Sequence, residues 1–210
     1  MNGGNGARLA HVTWIGGSPC AGKSSVADAI AVAHGMTVYR CDDAFYAHMK
    51  VVGPELQPVF HRLAHASCDE IWMRPVARQV AEELALYREE FPLILADLLA
   101  LPADRPIIAE GAALLPELIA GLGIDRDRTI WMVPTEAFQR EHYGRREWRH
   151  DVLRDCSGPE VAWENWMRRD AGFAREVAAQ ADRCGFRLIT VDGRRSLAEV
   201  ERDVARALGL

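Results

Sequence analysis

Residues 14–25 read WIGGSPCAGKSS, and this stretch decides the fold of the chain. Gly17, Gly22, Lys23 and Ser24 occupy the fixed positions of the phosphate-binding pattern G-x-x-x-x-G-K-[ST]. The preceding HVTWIGG is typical of a buried strand, and the following KSSVADAIAVAHG has the apolar spacing of a helix. This order suits the motif, because loop N–H groups and a helix N-terminus must point together at the anion.

Four further apolar runs have the same strand-like composition. They cover residues 36–41, 106–111, 129–133 and 187–193 and are separated by helical patterns. Strands that alternate with helices predict an α/β chain with a parallel sheet covered on both faces. We therefore expect a five-stranded parallel sheet in a single domain spanning residues 1–210.

Two long segments interrupt this alternation. Residues 44–105 follow the second strand and predict a long amphipathic helix, bent or interrupted near Pro92. Residues 138–156 follow the fourth strand and are rich in arginine. We expect the first to be a helical insertion and the second to be a lid that closes over a ligand.

Composition and charge exclude several classes of function. A net charge of −5 and a pI near 5.8 leave no basic surplus for a nucleic-acid backbone. The first residues lack an apolar signal core, and no uncharged run is long enough to span a membrane. We expect a cytoplasmic protein, monomeric or homodimeric, with neither nucleic acid nor membrane as a partner.

The five cysteines are odd in number, widely spaced and form no C-x-x-C pair, so they predict free thiols rather than disulfides or a zinc site. Cys20 lies inside the glycine loop. Oriented N–H groups there can lower the pKa of a thiol, which favours a reactive cysteine. The alternative is a small spacer without chemistry.

Together these features resemble the superfamily of small-molecule P-loop kinases, which includes shikimate, gluconate and uridine kinases and chloramphenicol phosphotransferase. Asp43-Ala-Phe45-Tyr46 is similar to the D-x-F-Y of uridine kinases, and Ile108-Ala-Glu110-Gly111 to their strand that ends in Glu-Gly. The resemblance implies a three-layer P-loop fold, ATP and Mg²⁺ as cofactors, and a small-molecule hydroxyl as acceptor. It also implies that residues 44–105 bind the acceptor and that the loop after strand five contacts adenine.

The predicted nucleotide side is built mainly from the glycine loop. Lys23 is expected to bridge the β and γ phosphates as a catalytic residue, and the Ser24 hydroxyl to ligate Mg²⁺. The full set of predicted nucleotide-binding residues is Gly17, Ser18, Pro19, Cys20, Ala21, Gly22, Lys23, Ser24, Ser25, Gly193 and Arg194.

On the acceptor side, two adjacent acids compete for one role. Asp43 is in D-x-F-Y register, so we predict that it orients or deprotonates the acceptor hydroxyl. Asp42 would bind substrate or a Mg²⁺-bound water, with helix capping as its alternative. Glu110 ends an apolar strand at the edge where ligands bind in open α/β sheets. The predicted substrate-binding set is Asp42, Phe45, Tyr46, Arg62, Glu110 and Gly111.

The arginine run offers candidates for charge stabilisation in phosphoryl transfer. Arg145 and Arg146 follow Gly144 directly, as in a hinged lid, and we predict both to be catalytic, with Arg149 third. The alternative is a solvated helix face with ion pairs between residues four apart. The downstream set Asn165, Arg169 and Gly172 is more typical of a polar stripe facing solvent.

The predicted reaction is transfer of the γ-phosphoryl group of ATP to a small-molecule hydroxyl. Three alternatives stay open on the sequence: a nucleoside or nucleotide kinase with a monophosphate acceptor, a P-loop NTPase, and a nucleotide-binding sensor without acceptor chemistry. The sequence identifies neither the acceptor nor the preference for ATP over GTP.

Overall fold

The computed structural model describes residues 3–210 and contains a five-stranded parallel sheet. The strand order is β2-β3-β1-β4-β5, so the first strand lies at the centre. The strands are β1 (Val12–Gly17), β2 (Thr37–Arg40), β3 (Ile107–Gly111), β4 (Thr129–Pro134) and β5 (Leu188–Val191). The prediction of five parallel strands is confirmed, with bounds that differ by no more than two residues at either end.

Eleven α-helices are found in the described part of the chain, together with a 3-10 helix at Arg126–Arg128. They are α1 (Gly3–Arg8), α2 (Lys23–His34), α3 (Cys41–His48), α4 (Pro58–Ala64), α5 (Cys68–Trp72), α6 (Val76–Ala100), α7 (Pro116–Ala120), α8 (Glu136–Gly144), α9 (Arg149–Leu153), α10 (Pro159–Cys184) and α11 (Leu197–Ala207). No helix among residues 3–210 is both long and apolar enough to cross a membrane.

The helices cover the sheet on both faces and make three layers. Trp14, Ala109 and Trp131 pack with α6, α7 and α10 on one face. Ile15 and Ile108 point to the other face, where α2 and α11 cover them. Successive strand residues therefore point into two different hydrophobic cores, which explains why the strands are apolar at almost every position.

The insertion after β2 consists of α3 to α6. Helix α6 is continuous through Pro92, so the expected interruption there is wrong. Its contacts with α10 are the most extensive between any two helices, and α4 packs on its other side. The insertion is thus fixed to the body of the fold along two long helices, whose side chains line the cavity described below.

A disulfide joins Cys68 at the start of α5 to Cys156 in the loop before α10. The expectation of free thiols is wrong for these two residues and holds for Cys20, Cys41 and Cys184. The spacing of 88 residues gave no sign of the pair. Packing of α5 against α10 brings the two thiols together, and this contact is visible only in the tertiary structure.

Candidate active site

The N-terminus of α2 has no side-chain cap. Its capping position is Gly22, in a left-handed conformation with φ of 81°, and no side chain bonds to the first turn. Within residues 3–210, the backbone N–H groups of residues 20–25 donate no hydrogen bond to another backbone or side-chain group. A helix start with several unpaired N–H groups is a ready site for an anion.

Lys23 lies at this helix start and is buried. Its ammonium donates a 2.9 Å hydrogen bond to the carbonyl oxygen of Ser18. Burial lowers the pKa of Lys23, and the carboxylates of Glu110 and Asp42 oppose that shift. The lysine is therefore held against the loop, between the unpaired N–H groups and two acidic side chains.

Glu110 occupies the end of β3 and is almost fully buried. Burial raises the pKa of its carboxyl group, while the Lys23 ammonium and the Ser24 hydroxyl act in the opposite direction. The structure therefore places Glu110 beside the glycine loop rather than in the acceptor end of the cavity. Gly111 contacts protein instead of a ligand position, because a Cβ at this residue would overlap the Cys41 side chain at the start of α3.

A cavity of about 680 Å³ begins at the glycine loop and extends between α3, α6 and α10. The loop contributes one wall, with Lys23 and Ser24. Much of the remaining wall is apolar. Its side chains include Phe45, Met49, Leu63, Ile71, Trp72, Leu86, Tyr87 and Trp166. One cavity thus joins the unpaired N–H groups and Lys23 to a large apolar wall.

Asp42 and Asp43 lie in the first turn of α3, not at a strand end. Both are exposed, but Asp42 lines the cavity and Asp43 does not. Successive helix residues point about 100° apart, so the two carboxylates face different directions. The structure therefore places Asp42, and not Asp43, where it can meet a molecule bound in the cavity.

The arginine run is divided between the cavity and the surface. Arg146 lines the cavity, and its guanidinium lies 4.8 Å from the ring centre of Tyr143 and 5.5 Å from that of Trp148. Arg145 is 66% exposed and pairs with Glu141, so its predicted place in the site is corrected. Arg149 stacks on Trp163 at 4.7 Å. The predicted solvated helix face therefore accounts for Arg145 but not for Arg146.

Cys20 has a left-handed backbone, with φ of 66°, and its side chain lines the cavity. Burial raises the pKa of the Cys20 thiol, and this effect exceeds the opposite influence of Arg146. The structure therefore favours the spacer over the reactive thiolate.

Several predicted residues are not brought into the cavity. Tyr46 is 69% exposed on α3, and Arg62 on α4 binds Glu82 at 2.8 Å. Gly193 packs against Phe138, and Arg194 extends into solvent with only Asp192 nearby. Of the loop residues, Pro19, Cys20, Gly22, Lys23, Ser24 and Ser25 line the cavity, while Gly17, Ser18 and Ala21 form the backbone behind it.

Three polar residues that line the cavity are not predicted by the sequence. Gln79 and Glu83, four residues apart on α6, line it together with Arg169 from α10. Their spacing was the available signal, but it fits any amphipathic helix equally well. The interpretation of Asn165, Arg169 and Gly172 as a solvent-facing stripe is wrong, because Asn165 donates to the Trp72 carbonyl oxygen at 2.8 Å.

Comparison with known proteins adds little to this geometry. No family model and no curated protein match the chain. A crystal structure described as that of a “putative kinase” from Chloroflexus aurantiacus is similar, with a TM-score of 0.37 and 14% sequence identity. The similarity covers 94% of this chain and 97% of that chain. At that level of similarity the neighbour's description does not apply to this chain.

Proposed function

We propose that this protein is an ATP- and Mg²⁺-dependent kinase that phosphorylates a hydroxyl group of a small molecule. The observation that carries the proposal is one cavity with two kinds of wall: unpaired N–H groups and Lys23 form one, and mainly apolar side chains form the other. A protein that only binds or hydrolyses a nucleotide needs the first wall alone. Two adjoining walls of this kind support the meeting of a phosphoryl donor and an acceptor.

In this proposal the glycine loop is a P-loop within a P-loop NTPase fold. The N–H groups of residues 20–25 and the ammonium of Lys23 hold the phosphates, since these donors are otherwise unpaired or bonded only within the loop. Ser24 and Glu110 offer oxygen ligands for Mg²⁺, directly or through water. The bound ion would neutralise charge on the phosphate oxygens.

In this proposal Asp42 acts on the hydroxyl group of the acceptor. Its carboxylate lines the cavity at the start of α3, and its charge acts on Lys23. From that position it orients the acceptor hydroxyl and accepts its proton, a contribution typically worth about 10² to 10⁴ in rate.

Arg146 takes the charge-stabilising role on the lid, residues 138–156, which consists of most of α8, the following turn and α9. Its guanidinium lies in the cavity and stacks on aromatic rings, with no carboxylate among the ion pairs of the described residues. An unneutralised guanidinium suits the charge that develops on a transferring phosphoryl group.

The test is a transfer assay with the purified chain, ATP, Mg²⁺ and a panel of hydroxyl compounds. ADP release and the mass of each compound are measured together, and Lys23→Ala is the negative control. The proposal expects ADP release that depends on one class of compound and a matching gain of one phosphoryl group. Release that is equally fast without any compound would indicate an NTPase instead.

A further inference from the structure

One face of α6 carries polar groups that line the cavity. Gln79, Glu83 and Tyr87 follow each other at intervals of four residues and all line it. Residues four apart lie above one another on a helix, so the three form a single stripe. Gln79 is 3% exposed and Glu83 is 8% exposed.

The orientation of the Gln79 amide is fixed by the protein. Its nitrogen donates to the carbonyl oxygens of Trp72 at 3.1 Å and Arg74 at 2.8 Å. The amide oxygen therefore cannot exchange places with the nitrogen, and within residues 3–210 it accepts no hydrogen bond. Buried carbonyl oxygens are nearly always paired, so this atom calls for a donor that the protein does not supply.

Glu83 shares a single cation with a second carboxylate. The Arg169 guanidinium donates to Asp170 at 2.6 and 2.8 Å, while its Nε lies 3.2 Å from Glu83 Oε2 without making an aligned hydrogen bond. The Tyr87 hydroxyl donates weakly to Glu83 Oε1, at 3.4 Å. Two carboxylates therefore share one guanidinium at this acidic corner, which consists of Glu83, Arg169 and Asp170, and an ionised Glu83 has no cation of its own.

The walls beside this stripe suit a ring. Trp72 and Trp166 lie with ring centres 4.8 Å apart, and Arg169 stacks on Trp72 at 4.6 Å. Phe45 stacks on Phe60 at 4.8 Å on the opposite side. Side chains fixed by such contacts leave a preformed apolar slot, which favours a flat or cyclic body over a flexible chain.

An anionic acceptor would need a cation other than Arg169, which is already shared by two carboxylates. Arg74 also lines the cavity, but its guanidinium bonds Glu82 and donates to the Ile71 carbonyl oxygen at 3.3 Å. Arg62 and Arg78 bind the same Glu82 from the outside. Arg62 lies on α4, Arg74 in the turn before α6 and Arg78 in the first turn of α6, and this arginine group provides the alternative outcome of the test.

We infer that Gln79 and Glu83 select the acceptor: it is a ring compound that places O–H or N–H donors against the Gln79 amide oxygen and the Glu83 carboxylate, and it carries no anionic group at that end. The inference rests on the proposed function only in calling this ligand the acceptor. Binding at the acidic corner does not require transfer, so the two can be tested separately.

The test uses three probes that share a phenyl ring and a secondary hydroxyl: 2-amino-1-phenylethanol, 1-phenyl-1,2-ethanediol and mandelate. They differ only in ending as an ammonium, a hydroxyl or a carboxylate. Binding to the full chain is measured without nucleotide, from the change in tryptophan fluorescence, since Trp72, Trp148 and Trp166 lie in the cavity wall. The amine and the diol should bind at least about tenfold more tightly than mandelate.

The variant Glu83→Gln keeps the shape of the side chain and removes its charge. In this variant the amine and the diol should bind less than about threefold more tightly than mandelate. Glu176→Gln is the matched control, since Glu176 is an exposed carboxylate on α10 that does not line the cavity. It should leave the preference unchanged, and the melting temperature of both variants establishes that they are folded.

Tighter binding of mandelate, an unchanged preference in Glu83→Gln, or no binding of the amine and the diol at millimolar concentration would each overturn the inference. Addition of ATP and Mg²⁺ to the same samples then examines transfer separately. Selective binding without phosphorylation would leave the acidic corner as a ligand site and contradict the kinase proposal alone.

Discussion

Cys68 and Cys156 form a disulfide that ties α5, in the insertion after β2, to the loop that precedes α10. The bridge closes a loop of 88 residues, which contains α6 and the lid. The insertion after β2 and the segment of residues 138–156 are therefore covalently joined at one point.

The first prediction concerns this bridge. Its removal by Cys68→Ser should lower the free energy of unfolding by about 2 to 5 kcal/mol, since the unfolded chain regains the entropy of a long loop. Cys184→Ser, which removes a cysteine outside the bridge, should change it by less than about 0.5 kcal/mol. Denatured without reductant, the chain should show three reactive thiols, because two of its five cysteines are bridged. Five reactive thiols would contradict the pairing.

The second prediction concerns nucleotide binding at α2. A ligand at about 100 times its dissociation constant stabilises the folded state by roughly 2.7 kcal/mol. For a chain of this length that corresponds to about 2 to 4 °C per kcal/mol. ATP with Mg²⁺ should therefore raise the melting temperature by several degrees, and Lys23→Ala should lose most of the shift. A melting temperature unaffected by ATP, ADP, GTP and GDP would argue against a phosphate site here.

The third prediction separates the two adjacent acids. Asp42 lines the cavity and Asp43 does not. Asp42→Asn should thus reduce phosphoryl transfer by about 10² or more with little change in ATP affinity, because the residue acts on the acceptor. Asp43→Asn is the matched control and should transfer nearly normally. The reverse pattern would restore Asp43 to the acceptor position.

The fourth prediction concerns the lid arginines. Arg146 lies in the cavity, whereas Arg145 pairs with Glu141 at the surface. Arg146→Ala should lower kcat by about 10³ with a much smaller effect on ATP binding, since the guanidinium acts on charge that develops during transfer. Arg145→Ala should change kcat less than about threefold. Single-turnover rates for the two variants measure this difference, and equal small effects would contradict a role for Arg146.

The fifth prediction concerns pH and Glu90, a buried residue of α6 that lies 2.9 Å from His48. Burial raises its pKa to about 7, and Asp42 and Asp97 add to the shift while His48 opposes it. A carboxyl group whose pKa is raised by folding stabilises the protein while it is protonated. That contribution is complete below about pH 4.5 and is lost as the pH rises through 7, a change of about 3 kcal/mol.

Glu90→Gln mimics the protonated form, so it should be more stabilising relative to wild type at pH 8 than at pH 5. Urea unfolding at the two pH values measures the difference. The exposed Glu176 on α10 provides a matched control, and Glu176→Gln should give the same small effect at both. An equal effect of Glu90→Gln at pH 5 and pH 8 would show that this carboxyl group titrates normally.

Much of the fold follows from local sequence. Each strand is a short apolar run, and α2 starts at the lysine of the glycine loop and ends at Gly35, so chain neighbours alone indicate these elements. The capping box of Ser196 and Glu199 at the start of α11 is also readable, because its two partners are three residues apart.

Packing between elements that are far apart in the sequence decides which of the predicted residues line the cavity. The side chain of Cys41 fits against Gly111 at the end of β3, and α3 begins at this cysteine. That start turns Asp42, and not Asp43, toward the glycine loop. The neighbouring acids have the same chemistry, so no pattern in the sequence could choose between them.

The acidic corner and the disulfide depend on tertiary structure in the same way. Gln79 and Glu83 meet Arg169 only because α6 packs along α10, and Cys68 meets Cys156 because α5 packs against that same helix. The sequence by itself determined which segments become strands and where the glycine loop with its unpaired N–H groups lies, since those properties arise between near neighbours. Only the tertiary structure decided which faces of the two long helices meet, because burial against a distant partner sets which polar groups are enclosed.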